Sequence, residues 1–251
     1  MRYILVQITD TLSSRGPVPS SASLWLEFVL AVIAGMVLSV TAASQIAGEA
    51  GIVVAFTVFW SATIIAAFEL HRTYPHATFG ACNLVSMLRL ALTAALASLL
   101  VLPAPLPETL LWAGFAIAVI ALLSDGVDGW LARRAGLVSR FGARFDMEVD
   151  SLFALVLALV AFKTGQAGAW VILLGLPRYA FLLAGLIWPQ LTKTVPDTFW
   201  RKAVCVLQIG TLVAFLVPVL PSSALIAAAA LAALALVWSF ATDIRFLLAK
   251  G

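Results

Sequence analysis

Two ordered pairs of aspartates interrupt an apolar chain: Asp125 with Asp128, and Asp146 with Asp150, in the stretch DGVDGWLARRAGLVSRFGARFDMEVD. Spacings of three and four residues place both members of a pair on one face of a helix. Two such faces turned toward each other form an oxygen-rich pocket for divalent cations. Ionisable groups are costly at a membrane and mark function there.

The setting is a membrane. Hydrophobic residues make up 63% of the 251 and charged residues 11%, against about a quarter charged in soluble domains. Mean hydropathy is +1.08. Apolar runs long enough to cross a core of about 30 Å lie near 24–46, 51–70, 83–102, 107–124, 147–163, 169–188, 203–219 and 222–242. The expected fold is an all-α polytopic bundle of eight transmembrane helices, with the 147–163 span reaching back through the aspartates if its helix starts at Gly142.

Lysine and arginine concentrate in cytoplasmic loops, which orients the chain with its N-terminus inside. Arg2, Arg15, Arg72, Arg133, Arg134, Arg140, Arg144, Lys193, Arg201, Lys202, Arg245 and Lys250 then lie on the cytoplasmic side, and Lys163 faces out. Arg89 and Arg178 fall within or at the ends of spans. The aspartates face the cytoplasm of a cell (inner) membrane. A net charge of +3 and a pI of 9.1 follow from this topology and from anionic headgroups, so no nucleic-acid partner is needed. Residues 1–23 lack a signal-peptide core. Cys82 and Cys205 have no metal-ligand spacing and read as small packing residues, while His71 and His76 flank a loop rich in turn-formers.

The aspartate stretch resembles the CDP-alcohol phosphotransferase (CDP-alcohol phosphatidyltransferase) family, whose signature is D-x2-D-G-x2-A-R-x8-G-x3-D-x3-D. Asp125, Asp128, Gly129, Ala132, Arg133, Gly142, Asp146 and Asp150 supply all eight specified positions without a gap. The resemblance implies a six-helix catalytic core over residues 80–251, a homodimer, and residues 1–79 as an N-terminal segment with two extra helices. The core's first helix resembles the family's in GACNLVSMLRL, where Asn83 is followed six residues later by Arg89.

It also implies the reaction. A phosphatidyl group passes from CDP-diacylglycerol to an alcohol with release of CMP, assisted by two metal ions on Asp125, Asp128, Asp146 and Asp150. Hard oxygen donors, without a usable Cys/His cluster, favour Mg²⁺ or Mn²⁺ over zinc. Asp150 occupies the family's general-base position. Gly129 and Ala132 offer small side chains where the nucleotide approaches, as does Gly142, and Arg133 pairs with either phosphate or a motif aspartate. Asn83 is assigned with these residues to the CDP-lipid donor.

The acceptor is less defined. Arg178, in LLGLPRYAFLLAG, falls near the middle of a span, where lining a polar cavity is its best use, with Pro177 opening a kink. RKAVCVLQ resembles the G-K-x-K-T-x-x-Q pattern of bacterial phosphatidylglycerophosphate synthase relatives. Lys202 and Gln208 match, whereas Arg201, Val204 and Cys205 depart from it. Arg178, Arg201 and Lys202 suit a phosphorylated acceptor such as glycerol 3-phosphate or an inositol phosphate. A carrier also uses intramembrane charge, but would spread it over several depths, and a silent scaffold would have lost an aspartate. A membrane prenyltransferase would need a second aspartate-rich motif. The Ala-rich run at 226–238 reads as close helix packing.

Overall fold

A computed structural model describes residues 21–188 and 199–248, and among these every regular element is helical. In chain order they are α1 (Ala22–Thr73), α2 (Gly80–Ala97), a 3-10 turn (Ser98–Val101), α3 (Glu108–Ser124), α4 (Val127–Ala135), α5 (Arg140–Lys163), a 3-10 segment (Ala169–Gly175), α6 (Pro177–Ile187), α7 (Phe199–Ala214) and α8 (Ser222–Leu248). The stretches Ala22–Thr73, Gly80–Val101, Glu108–Ala135 and Ser222–Thr242 are long and apolar enough to cross a membrane. This is an all-α, multi-pass membrane protein. Arg2, Arg15, Lys193 and Lys250 lie outside the described residues. Chain contacts separate two units, one holding residues up to Ala95 with Ile120–Val149, the other Leu96–Val119 with the chain from Asp150 onward.

In the first unit, α1 is 52 residues long. Straight, it would reach about 78 Å, more than twice the hydrocarbon core. It is not straight. Ala47 and Gly48 leave the helical region, Gly48 at φ 56°, a conformation that glycine adopts without a Cβ clash. Residues equally far from the break then meet. Trp25 and His71 have ring centroids 6.3 Å apart, and a Cβ on Gly35 would stand 2.6 Å from Phe59 Cζ. The two arms are the spans expected near 24–46 and 51–70. Small residues Ala31, Gly35, Ser39, Ala43, Ala55 and Ala66 are buried, while Leu26, Ile33, Val37, Phe56 and Ile64 are exposed. Small residues let backbones approach, and large apolar ones lose nothing by facing lipid.

In the second unit the run expected as one span at 169–188 is broken. The 3-10 segment ends at Gly175, where a Cβ would stand 2.8 Å from Leu155 Cα on α5, and α6 starts afresh at Pro177. Proline suits a first helical position because its missing N–H would have no partner there. Pro177 therefore opens a helix instead of kinking one, and Arg178 sits in a first turn instead of mid-span. The buried Gln208 side chain on α7 donates to the Leu174 carbonyl, and Phe181 meets Phe240 with centroids 5.8 Å apart.

Candidate active site

Among the four candidate spans α2 is by far the most enclosed, with 72% of its apolar window buried against 17–33% for the others. It nevertheless carries Asn83, Ser86 and Arg89, all buried. Their spacing of three puts them along one face. The Ser86 hydroxyl donates to Asp128 Oδ2 at 3.0 Å. Arg89 reaches three carboxylates, Asp125 at 3.1 Å, Asp128 at 3.5 Å and Asp146 at 2.5 Å. A guanidinium can do this because its donors fan out in a plane.

Asp125 and Asp128 do not share an unbroken helix face, as their spacing had suggested. Gly126 adopts φ 79°, ending α3 and capping α4, so Asp125 lies in the turn and Asp128 in the first turn of α4. The bend still converges them. Oxygens of Asp125, Asp128 and Asp146 all lie within 4.8 Å of one another. Asp128 Oδ1 also accepts from the Gly129 N–H at 2.6 Å, and Ser139 caps α5 by accepting from the Gly142 N–H at 3.0 Å.

The donor set fits a hard divalent cation. All three ligand side chains are carboxylates, three negative charges gathered around the single positive charge of Arg89. Asp125 and Asp146 remain 46% and 35% exposed, so their oxygens can be reached.

Residues 79–241 match the CDP-alcohol phosphatidyltransferase family. The chain belongs to that family. Among curated proteins it is similar to a "Putative cardiolipin synthase" of Mycobacterium bovis and to proteins of the same description from two strains of Mycobacterium tuberculosis, each 38% identical over 93 residues. That match spans 36% of this chain and 44% of each relative. No solved structure matches.

The remaining signature positions of the family are placed as follows. Gly129 is half-buried, and a Cβ there would stand 3.3 Å from Arg133 Nη1, so the Arg133 side chain folds back over it. Arg134 instead lies over the Trp130 ring, 5.0 Å from its centroid. The Ala132 carbonyl accepts the N–H groups of Gly136 and Leu137, closing α4. A Cβ on Gly142 would stand 3.4 Å from Asn83 Oδ1, so this glycine lets α5 approach α2. Asn83 gives its amide N–H groups to the Phe79 carbonyl at 2.5 Å and the Tyr74 hydroxyl at 3.2 Å. That is an anchoring geometry.

Asp150 lies one turn beyond Asp146 on α5. It is not among the three converged carboxylates. In the second unit, Arg178 is half-buried on α6, while Arg201 is half-buried and Lys202 exposed in the first turn of α7. Cys82 is buried and Cys205 exposed, and neither forms a disulfide. Burial pushes the Tyr74 phenol well above its ordinary pKa, so it stays a neutral donor, to the Thr78 carbonyl at 2.8 Å. The sequence reading left Ser86 and Arg89 out of the site. The signal was there for Arg89, an ionisable residue in an apolar span, the same cost that singled out Arg178.

Proposed function

We propose that the protein transfers a phosphatidyl group from CDP-diacylglycerol to an alcohol and releases CMP, at a cytoplasm-facing site in the cell membrane. The observation that carries this reading is the convergence of Asp125, Asp128 and Asp146 on Arg89, within a complete family signature. Residues 80–251 are the catalytic core in this reading, and residues 1–79 an addition to it.

Asp125, Asp128 and Asp146, with Asp150, would hold two Mg²⁺ or Mn²⁺ ions. Such ions supply Lewis-acid polarisation of the phosphorus and balance charge on the departing CMP phosphate. The chain's own residues do the rest. Arg89 and Ser86 fix the carboxylate oxygens before substrate arrives. The acceptor hydroxyl oxygen attacks the lipid-side phosphorus, its proton passes to Asp150, and the bond from that phosphorus to the CMP oxygen breaks. Gly129 has no side chain of its own beside Asp128, so the nucleotide would approach there with the Arg133 guanidinium at its phosphate. Arg178, Arg201 and Lys202 recognise a phosphate on the acceptor, for which glycerol 3-phosphate is the first choice and an inositol phosphate the alternative.

A second acceptor is favoured by the description of the mycobacterial relatives. Cardiolipin carries two phosphatidyl groups on one glycerol, so its synthesis here requires phosphatidylglycerol as acceptor. It too bears a phosphate.

Purified protein incubated with CDP-diacylglycerol, Mg²⁺ or Mn²⁺ and one of glycerol 3-phosphate, inositol phosphate, phosphatidylglycerol or an uncharged polyol tests both readings. CMP release that needs metal and one phosphorylated acceptor is expected. No CMP with any acceptor, in protein that remains folded, sinks the transferase reading and leaves a carrier.

A further inference from the structure

The family match begins at residue 79, so the α1 hairpin lies outside it. Its two cytoplasmic ends nevertheless close on the segment that leads into α2. The Ser21 and Ser23 hydroxyls donate to the Ala77 carbonyl at 2.6 and 3.2 Å. Glu27 Oε2 accepts from the N–H groups of Phe79 and Gly80 at 2.8 and 3.4 Å. The first N–H groups of a helix have no partner within it, and a carboxylate there also favours the helix dipole. Phe79 has no side-chain acceptor to offer. The cap of α2 therefore comes from Glu27, 52 residues earlier.

A chain of rings runs from the same place toward the aspartates. Phe28, next to Glu27, meets Phe79 edge-on with centroids 5.4 Å apart, and Phe79 meets Phe141 at 6.3 Å. Phe141 stacks on Phe145 at 5.5 Å, and Phe145 precedes Asp146. All four rings are buried. At the hairpin's other end, Glu69 binds Arg144, two residues before Asp146. α2 carries Ser86 and Arg89, and α5 carries Asp146, so both halves of the Arg89–Asp146 contact hang from helices that α1 grips.

We propose that the N-terminal hairpin is a positioning clamp for the aspartate site, with Glu27 as its principal residue. By capping α2 and seating Phe79 against Phe141, it sets the height at which Ser86 and Arg89 meet the carboxylates. This rests on the reading of those carboxylates as a metal site. Glu27 touches none of them and acts through α2.

The test uses the full-length protein carrying Glu27→Ala, Glu27→Gln or, at the exposed far end of the hairpin, Glu49→Ala. Amide hydrogen exchange and Mn²⁺ binding by electron paramagnetic resonance are read on each. Glu27→Ala is expected to speed exchange at 79–90 and also at 140–146, and to weaken Mn²⁺ binding about tenfold, the low end of what losing a supporting contact costs. Glu27→Gln, whose amide oxygen can still accept, keeps most of the affinity, and Glu49→Ala behaves as wild type. Faster exchange confined to 79–80 with unchanged Mn²⁺ affinity overturns the proposal. Asp128→Asn is measured alongside. If it binds Mn²⁺ like wild type, the metal reading has failed, and the spread of exchange to 140–146 alone decides the clamp.

Discussion

Arg89 on α2 and Asp146 on α5 are 57 residues apart in sequence and in contact at 2.5 Å. The same guanidinium nitrogen also faces Asp128 at 3.5 Å. One buried cation thus ties three acidic side chains, Asp125 and Asp128 around the α3–α4 turn and Asp146 on α5. Carboxylates this close repel one another unless a positive charge lies between them.

Arg89→Gln is therefore expected to destabilise the protein by about 1–3 kcal/mol, less than a fully buried pair would cost because Asp125 and Asp146 stay partly exposed. Thermal unfolding in detergent measures this. Arg89→Lys keeps the charge but cannot address three carboxylates from one ammonium, so CMP release should fall more than about tenfold in it as well. Lysine working as well as arginine would show that charge alone, without the fan of donors, is what the site requires.

Asp125→Asn, Asp128→Asn and Asp146→Asn are each expected to abolish turnover while the protein stays folded. Their oxygens lie within 4.8 Å of one another, so they act as a unit and the losses should not add. A double variant should be little worse than the poorer single one. Losses that multiply, measured as CMP release at saturating metal, argue for separate roles.

Much of this was legible in the sequence, for identifiable reasons. The aspartate spacing and the apolar runs are local signals, and they survive in part: the breaks at Ala47–Gly48 and Gly126 fall where spans were expected to end, whereas Asp125 leaves the helix that carries Asp128 and the 169–188 run divides before Pro177. What was not legible depends on distant residues. Nothing in GACNLVSMLRL says that Arg89 meets Asp125, Asp128 and Asp146, because that pairing is made by the packing of α2 against the turn at Gly126 and against α5. For Asn83 the partners were illegible for a related reason. Its amide is spent on Tyr74 and Phe79, partners that become neighbours only when the chain turns into α2. Pro177 misled because a proline within an apolar run signals a kink as readily as a helix start, and only the 3-10 segment before it decides.

Gly126→Ala isolates the turn. At φ 79° a Cβ meets no neighbour, so the penalty is purely conformational, about 1–2 kcal/mol for a left-handed residue. The variant should fold, and its CMP release should fall more than its stability does, because relaxing that angle moves Asp125 relative to Asp128. Unchanged turnover would show that the site tolerates the shift.

Orientation is open to labelling. After Cys205→Ser, a cysteine at exposed Ala135 is expected to react with an impermeant reagent only once cells are permeabilised, and one at exposed Glu108 in intact cells. The reverse pattern inverts the topology and removes the site from the cytoplasm.

Arg178 tests the division of labour between donor and acceptor. The donor pyrophosphate would be neutralised at the aspartates, so a second phosphate brought into a site of low dielectric needs cations of its own. Arg178 is half-buried in the first turn of α6, and Arg201 is half-buried in the first turn of α7. Phosphate at a helix N-terminus also gains from the exposed N–H groups there. Arg178→Ala is expected to raise the KM for the phosphorylated acceptor at least about tenfold, the loss of one charge-assisted contact, with the KM for CDP-diacylglycerol little changed. Equal weakening of donor and acceptor, or a wild-type preference for an uncharged polyol, would place Arg178 elsewhere in the mechanism while leaving the aspartate site as it stands.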